Sequence, residues 1–190
     1  MESFFITGIG TGVGKTLISA ILVNKLKADY WKPIQAGDLE NTDTMKVTQY
    51  CKLAPTRVHP EKFRLSQPMS PHASASIDEV AIFMQDFALP YSKNNLIIEG
   101  AGGVLVPLNL NETILDLIVH LDIPVILVSQ HYLGSINHSL LSIEALRGRK
   151  IPIAGVIFNG IENLITESTI VKMGKVKHLG KIPLLDRITP

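Results

Sequence analysis

Glycine, lysine and threonine near the start of the chain are spaced in a way that allows the backbone to bind phosphate. Residues 8–16 read Gly-Ile-Gly-Thr-Gly-Val-Gly-Lys-Thr, between an apolar run and an apolar helix-like stretch. Glycines let the chain wrap so that its N–H groups point at phosphate oxygens, and a helix N-terminus adds partial positive charge. In such a loop Lys15 reaches the β- and γ-phosphates and the Thr16 hydroxyl ligates Mg²⁺. The segment therefore predicts a nucleoside triphosphate site.

One position departs from the usual pattern of such loops. The pattern has Gly or Ala five residues before the Gly of Gly-Lys-Thr, whereas this chain has Ile9 there and Gly8 one residue further out. We therefore expect a variant phosphate loop. A glycine turn that carries Gly-Lys-Thr by chance is the alternative, and the strand–loop–helix context disfavours it.

A carboxylate follows a second apolar run. Leu-Ile-Ile-Glu at 96–99 places Glu99 at the carboxyl end of a predicted strand, where an acid beside a phosphate loop holds Mg²⁺ directly or through water. An acid that only meets solvent is the alternative, and the phosphate loop favours the metal role. Residues 100–103 are predicted to form a glycine-rich turn, by itself a weak signal that backbone approaches a ligand.

Two more charged residues stand where they would face the same edge. Lys32 ends another predicted strand and would point at the same edge of the sheet as Lys15. Most lysines are exposed, so in isolation a solvated side chain is the favoured interpretation. Asp43 lies near a predicted helix start, where an acid is also ordinary capping chemistry. Spacing alone leaves the metal role and the capping role of Asp43 open.

Short apolar runs alternate with helical stretches and would position these residues. Strands are predicted at residues 4–7, 29–32, 96–99, 124–129, 153–159 and, with a weaker pattern, 179–182. Most runs are apolar throughout, which is typical of strands buried on both faces of a parallel sheet. The alternation predicts an α/β fold, a doubly wound and mainly parallel sheet flanked by helices. Its ligand should bind outside the carboxyl ends of the strands.

The helices are predicted at residues 15–27, 77–89, 113–121 and 136–147. Ser76 is the predicted N-cap of the second helix, and Pro90 follows its end. Residues 54–74 contain four prolines and are predicted to form a long loop. Loops of that length in compact domains are more often functional than idle.

Composition excludes several classes of protein. A length of 190 residues suits one domain, 1–190, and 46% hydrophobic residues exclude wholesale disorder. A net charge of +1 argues against binding to nucleic acid or anionic membranes through bulk charge. The single cysteine, Cys51, excludes an intrachain disulfide and a cysteine-based zinc cluster and fits a reducing compartment. Neither a targeting segment nor a membrane span is predicted.

Nine segments, in order and over most of the chain, resemble the dethiobiotin synthetase family. They are Thr-Gly-Val-Gly-Lys-Thr in the phosphate loop, Trp-Lys-Pro-Ile-Gln-Ala-Gly from 31, Asn-Thr-Asp from 41, Ser-Pro-His from 70, Glu-Gly-Ala-Gly-Gly from 99 with Val-Pro-Leu from 106, Pro-Val-Ile-Leu-Val from 124, Leu-Gly-Ser-Ile-Asn-His from 133, Phe-Asn from 158, and Gly-Lys-Ile-Pro-Leu-Leu from 180. Several are weak individually, but together and in this order they are specific.

The resemblance implies a P-loop NTPase fold and a ligase of biotin synthesis. The substrates would be 7,8-diaminononanoate, CO₂ and ATP, with Mg²⁺ as cofactor, and the products dethiobiotin, ADP and phosphate. It also implies a cytoplasmic homodimer without nucleic-acid or membrane partners.

The resemblance implies roles for individual residues as well. The implied catalytic residues are Lys32, Lys15 and Thr11. The implied ATP contacts are Gly12, Val13, Gly14, Lys15, Thr16, Leu17, Asp43, Glu99, Gly100, Ala101, Gly102, Asn159, Gly160, Pro183, Leu184 and Leu185, with Asn159 reading adenine and the last three walling it. The implied Mg²⁺ ligands are Thr16, Asp43 and Glu99. The implied substrate contacts are Thr11, Lys32, Ala36, Gly102, Gly103, Ser135 and Asn137, of which the last two lie in a region that can serve the neighbouring subunit's site.

Two positions depart from the family pattern, and two rival functions stay open. Ala36 stands where the family usually has Ser or Thr, so Gln35 or water would have to replace a hydroxyl, and Gly10 stands where it usually has Asp. One rival is a nucleotide-switch ATPase of the partition and septum-placement kind, which carries an additional lysine where this chain has Gly10. The other is a P-loop small-molecule kinase.

Overall fold

Nine strands form two parallel sheets in the computed structural model, which describes residues 2–185. The strands are β1 (Ser3–Gly8), β2 (Asp29–Trp31), β3 (Ile34–Ala36), β4 (Val58–His59), β5 (Phe63–Leu65), β6 (Leu96–Gly103), β7 (Val125–Gln130), β8 (Ile153–Asn159) and β9 (His178–Ile182). Seven of them form the central sheet, in the order β4-β2-β6-β1-β7-β8-β9, and β3 pairs with β5. Every strand pair is parallel, which confirms the predicted fold class. Residues 1 and 186–190 of the predicted domain lie outside the described residues.

Helices cover both faces of the central sheet. They are α1 (Lys15–Leu26), α2 (Asp43–Cys51), α3 (Pro71–Ile77), α4 (Ile114–Leu121), α5 (Ser135–Gly148) and α6 (Leu164–Gly174). The side chains Ile18, Val47 and Ile170 of α1, α2 and α6 share one core with Ile97. On the other face of the sheet, Ile118 of α4 shares a second core with Phe5 of β1 and Ile98 of β6. Burial on both faces explains why the strand sequences do not alternate. Among residues 2–185 no helix is both long and apolar enough to cross a membrane.

The predicted strands all exist, and so do the predicted helices at 15–27, 113–121 and 136–147. The elements that sequence analysis did not predict are β3, β4, β5, α3 and α6, and of α2 only a start near Asp43 was predicted. The three strands are only two or three residues long, too short to give a periodic pattern.

The predicted helix at residues 77–89 is wrong. The helix in this region, α3, ends at Ile77, and an irregular segment with one 3₁₀ turn at Met84–Asp86 follows. Glu79 adopts a left-handed backbone with φ 55°, which interrupts any helix there. Ile82 and Phe87 are each only 2% exposed, so this segment still reaches the core, but as a loop.

The predicted loop at 54–74 is wrong in part, because β4, β5 and the start of α3 lie within it. The β3–β5 pair places the next residues across the carboxyl edge of the central sheet. Gly37 follows β3 with φ 69°, and a Cβ added to it would lie 2.5 Å from the backbone of Pro68. This close approach requires glycine and holds the segment around Pro68 beside the cavity described below.

The predicted glycine turn at 100–103 is also wrong, because β6 continues to Gly103. A register shift between Ile6 and Gly8 of β1 brings Gly103 opposite Gly8. Gly100 passes so close to Phe5 that an added Cβ would lie 2.6 Å from the ring. The glycines therefore let β6 run on past Glu99 where side chains would clash.

Candidate active site

A cavity of about 490 Å³ opens at the carboxyl edge of the central sheet, beside the phosphate loop. The predicted site residues that line it are Thr11, Gly12, Gly14, Lys15, Thr16, Lys32, Ala36, Asp43, Glu99, Ala101 and Gly102. Residues 68–71 complete the wall opposite the loop. The strand-end prediction thus located the cavity, and the wall at 68–71 comes from the segment predicted as a loop.

The pleat of two neighbouring strands explains why the charged residues meet. In the parallel register of β2 and β6, Tyr30 lies opposite Ile97. Alternate residues of a strand share a face, so Lys32 and Glu99 project to the same side of the sheet as this pair. That side is covered by α1, whose first turn carries Thr16.

The phosphate loop curls around its own lysine. Gly12 and Gly14 have φ of 74° and 93°, in the left-handed region that glycine adopts without strain. Lys15 begins α1 and is 7% exposed, and its Nζ donates a hydrogen bond to the carbonyl oxygen of Gly10 at 2.9 Å. Val13 is buried, so only its backbone is available to a ligand. The loop therefore offers N–H groups, one ammonium and a helix N-terminus to an anion.

Glu99 is the centre of the polar contacts and is 1% exposed. Its Oε1 accepts a hydrogen bond from the Thr16 hydroxyl at 2.8 Å and lies 3.2 Å from the Lys32 Nζ. Its Oε2 accepts a hydrogen bond from the Tyr30 hydroxyl at 2.9 Å. Both carboxylate oxygens therefore have buried donors.

Lys32 forms a second ion pair, with Asp43 at the start of α2. Lys32 is 4% exposed, so the alternative of a solvated lysine is wrong. The N-cap of α2 is Thr42, whose hydroxyl accepts from the Met45 N–H at 3.2 Å. Asp43 is therefore not the capping residue, and its side chain faces the cavity.

Burial and charge shift the titration of these groups. Burial lowers the pKa of Lys15 to about 8, with Lys32 adding to the effect and the nearby carboxylates opposing it. Burial would also lower the pKa of Lys32, but Glu99 and Asp43 outweigh it, and the pKa is raised above its usual value. Burial opposes ionisation of Asp43, but the Lys32 ammonium overcomes it and lowers the Asp43 pKa. At neutral pH the site thus holds Lys32 and Asp43 as an ion pair.

The oxygen donors suit Mg²⁺. Thr16 supplies a hydroxyl, and Asp43 and Glu99 supply carboxylates, the hard ligands that Mg²⁺ prefers. Within residues 2–185 no group of three or more His, Cys, Asp and Glu side chains could hold a metal alone. An ion here would take its other ligands from nucleotide phosphates and water, as Mg²⁺ commonly does.

Asn159 and the segment after β9 lie together beside the phosphate loop. The Asn159 Nδ2 donates to the Val13 carbonyl oxygen at 3.0 Å, and the Gly160 N–H donates to the Ile182 oxygen at 2.9 Å. The latter bond places residues 183–185 next to Asn159. Leu184 and Leu185 are 67% and 47% exposed, so their apolar side chains are available to a ligand.

Three predicted substrate contacts lie elsewhere. Gly103 lines a second cavity of about 360 Å³, together with Thr11 and His138. Ser135 is buried at the start of α5, and Asn137 is exposed on the same helix. None of these three lines the cavity with the charged residues, and Ser135 and Asn137 line neither cavity.

Sequence analysis missed Tyr30 as a site residue. Tyr30 stands two residues before Lys32, and strand alternation was the signal that could have placed it on the same face. Gln35 was a candidate to replace the hydroxyl missing at Ala36, and it lines the cavity. Its Oε1 also accepts from the Asp43 N–H at 3.2 Å, and its Nε2 donates to the Gly37 oxygen at 2.8 Å. Gln35 therefore holds the start of α2.

Solved structures with the same fold include ATPases of the partition kind. A plasmid partition protein of Borrelia burgdorferi bound to AMPPNP matches 97% of this chain and 87% of its own, with a TM-score of 0.59 and 16% identity. The MinC:MinD cell division complex of Aquifex aeolicus matches 98% and 82%, with a TM-score of 0.55 and 18% identity. At such identities the likeness shows the fold alone.

The fold and the glycine loop around Lys15 define a P-loop nucleotide-binding protein, and a family described as an AAA domain matches residues 2–190. A protein of Christiangramia forsetii named ATP-dependent dethiobiotin synthetase is 55% identical over 181 residues, 95% of this chain and 87% of its own length. A protein of the same name from Brucella ovis is 48% identical over 185 residues, 97% and 87%. The chain belongs to the dethiobiotin synthetase family.

Proposed function

We propose that the protein converts 7,8-diaminononanoate, CO₂ and ATP into dethiobiotin, ADP and phosphate. The observation that carries this proposal is the meeting of Lys15 and Lys32 at one cavity, in a chain 48–55% identical to proteins named for that activity. Both ammonium groups lie on the rim where a phosphate loop would hold the triphosphate.

The reaction has three steps. One amine of the substrate adds CO₂ and loses a proton, which gives a carbamate anion. A carbamate oxygen then attacks the γ-phosphorus of ATP, which forms a carbamic–phosphoric mixed anhydride and releases ADP. The second amine attacks the carbonyl carbon, closes a five-membered cyclic urea and expels phosphate. No side-chain nucleophile is needed.

Repulsion between carbamate and triphosphate is the main obstacle, so fixed positive charge is the main requirement. Lys15 and the N-terminus of α1 face the phosphates, and Lys32 stands between this loop and the proposed substrate position. When bound with ATP, Mg²⁺ neutralises phosphate charge, and Thr16, Asp43 and Glu99 are the residues that would hold it. These charges are in place before substrate arrives, so little reorganisation is needed during the reaction.

Positioning contributes as well. Holding both amines beside the phosphoryl group makes ring closure intramolecular, which is worth about 7–11 kcal/mol of barrier in favourable cases. We propose that Thr11, Ala36, Gly102 and Gly103 contact the substrate. The half-buried Ala36 offers no hydroxyl, so water or the second Nε2 hydrogen of Gln35, which also lines the cavity, takes that hydrogen-bonding role.

The adenine base is proposed to lie against Asn159 and residues 183–185. Because the Asn159 Nδ2 already donates to the phosphate loop, its Oδ1 is left to accept from the exocyclic amine of adenine. That arrangement disfavours guanine, which has an oxygen at the equivalent position. The exposed Leu184 and Leu185 would cover the base.

We also propose that the protein acts as a cytoplasmic homodimer, with Ser135 and Asn137 serving the neighbouring subunit's site. The supporting observation is the exposed apolar surface around that region, where Leu133 and Leu141 are 104% and 60% exposed. Light scattering coupled to gel filtration measures the mass. A monomer at micromolar concentration would contradict the proposal.

One assay separates this function from its rivals. The protein is incubated with diaminononanoate, bicarbonate, Mg²⁺ and ATP, and the products are measured by mass spectrometry. A gain of one carbonyl with loss of two hydrogens supports the ligase. A stable phosphorylated product would identify a kinase, and absence of turnover would favour the rival nucleotide-switch ATPase.

A further inference from the structure

We propose that Tyr30 is a positioning residue, whose hydroxyl fixes the orientation of the Glu99 carboxylate so that Oε1 faces Thr16 and the metal position. The inference rests on the proposed function, because it assumes that Glu99 is a ligand of Mg²⁺. Tyr30 itself lies outside the cavity lining and does not touch the substrate position.

The geometry divides the two oxygens of Glu99 between two tasks. Oε2 accepts the Tyr30 hydroxyl at 2.9 Å, whereas Oε1 accepts the Thr16 hydroxyl at 2.8 Å. Tyr30 is 0% exposed and Glu99 is 1% exposed, so water does not replace the tyrosine hydroxyl. A carboxylate held at one oxygen cannot rotate freely, which keeps the other oxygen aimed at Thr16.

The backbone makes this contact rigid. Tyr30 is the middle residue of β2, and β2 pairs with β6 at three consecutive positions up to Ile98, next to Glu99. The tyrosine ring is packed in the core with Ile97. Both partners therefore stand on paired strands, which hold side chains more firmly than loops do.

A tyrosine that only fills the core would be replaced by phenylalanine with little change at the site. A tyrosine that orients a metal ligand behaves differently, because loss of such an outer partner typically costs 10–100-fold in metal affinity. The substitution Tyr30→Phe keeps the ring and removes only the hydroxyl. Tyr50→Phe is the matched control, since Tyr50 is half-buried on α2 and its hydroxyl has no hydrogen-bond partner among residues 2–185.

The test measures Mn²⁺ binding by electron paramagnetic resonance, with protein in excess over AMPPNP so that free nucleotide does not compete. We expect Tyr30→Phe to weaken Mn²⁺ binding about 10-fold and Tyr50→Phe to leave it within twofold of wild type. Circular dichroism checks that each variant is folded. If the wild type binds Mn²⁺ and the folded Tyr30→Phe variant binds it equally well, the inference is overturned and the proposed function stays intact. Failure of the wild type to bind Mn²⁺ with AMPPNP would overturn both.

A second comparison shows whether Tyr30 acts through Glu99. In the Glu99→Gln background, Tyr30→Phe should change Mn²⁺ binding less than twofold, because the oriented carboxylate is already gone. A further loss of about 10-fold in that background would place the effect of Tyr30 elsewhere and overturn the inference.

Discussion

The Lys32 ammonium lies 3.2 Å from Oε1 of Glu99, the same oxygen that accepts the Thr16 hydroxyl. Lys32 also pairs with Asp43, so one buried lysine is shared between both carboxylates of the proposed metal site and offsets part of their charge. A metal ion at this site would share or take over that neutralising role, which would leave the ammonium available to the carbamate and the transferring phosphoryl group.

Replacement of Lys32 by methionine tests this arrangement. Lys32→Met keeps most of the length of the side chain and leaves the buried Glu99 and the half-buried Asp43 without their shared cation. Loss of a fixed electrostatic group at a reacting centre typically costs 10²–10³-fold in kcat, so we expect dethiobiotin formation to fall by about that factor. Because breaking a buried ion pair costs about 3–5 kcal/mol, the melting temperature should also fall, and Mg²⁺ without nucleotide should restore part of it.

The control for this variant is Lys25→Met, on an exposed lysine of the same α1 that carries Thr16. Near-normal turnover by Lys32→Met would remove the assigned role. A melting temperature that does not respond to Mg²⁺ would contradict the idea that the lysine stands in for the ion.

Lys15 predicts a pH dependence of nucleotide capture. Its pKa in the folded, nucleotide-free protein is lowered by burial to about 8, so the ammonium loses its proton above that pH. We expect kcat/KM for ATP, which reports the free enzyme, to fall with an apparent pKa of about 8 as the pH rises. Bound phosphates favour the protonated form, so the corresponding limb of kcat should lie at higher pH. Steady-state kinetics between pH 6 and about 9.5 measure both, and a kcat/KM profile that stays flat through this range would contradict the assignment.

The lowered pKa of Lys15 also makes the free energy of unfolding depend on pH. The Lys15 pKa is near 8 in the folded chain and is taken at its usual value of 10.5 in the unfolded chain. Between these values the unfolded chain binds more protons, so this residue's contribution to the free energy of unfolding rises with pH. The penalty for burying the charge is therefore largest below pH 8. This loss of stability accompanies a buried Lys15 ammonium that is already in place to bind phosphate.

How far sequence predicts this site depends on the distance over which each contact acts. Lys15 and Thr16 were predictable because a phosphate loop is a local structure, in which spacing determines geometry. Lys32 and Glu99 were predictable as neighbours because parallel strands end at one edge. The pairing of Lys32 with Asp43 was not, since it depends on how α2 packs against the sheet.

The helix predicted at residues 77–89 is wrong for a similar reason, because its structure depends on contacts with distant residues. Its signals were local, an N-cap at Ser76 and a proline after the end, and neither depends on how the segment packs. The left-handed Glu79 and the hydrogen bond from the Asn109 Nδ2 to the Ile82 oxygen at 2.9 Å hold an irregular segment in place, from which Ile82 and Phe87 reach the core. Such tertiary contacts override local helix signals.

Gly14 is expected to tolerate no side chain. Its φ is 93°, and an added Cβ would lie 2.2 Å from the Asn159 Nδ2. Gly14→Ala should therefore disturb both the phosphate loop and the proposed adenine contact, and backbone strain of about 1–3 kcal/mol, if relieved only by distorting the loop, predicts a loss of about 5- to 150-fold in ATP affinity. Calorimetric titration with AMPPNP measures it. Gly148→Ala is the control, since an added Cβ there meets nothing within 4 Å, and equal affinities for the two variants would contradict the prediction.

The two carboxylates provide the direct test of the metal site. Asp43→Asn and Glu99→Gln keep the shape of each side chain but remove its charge, so the Mg²⁺ concentration for half-maximal activity should rise about 10–100-fold in either variant. Glu99→Gln should have the larger effect, because Glu99 also binds Thr16, Lys32 and Tyr30. Asp38→Asn is the control, an exposed acid that pairs with Lys46. An unchanged Mg²⁺ requirement in both site variants would mean that the ion is held by phosphates and Thr16 alone, with the carboxylates serving only to hold Lys32.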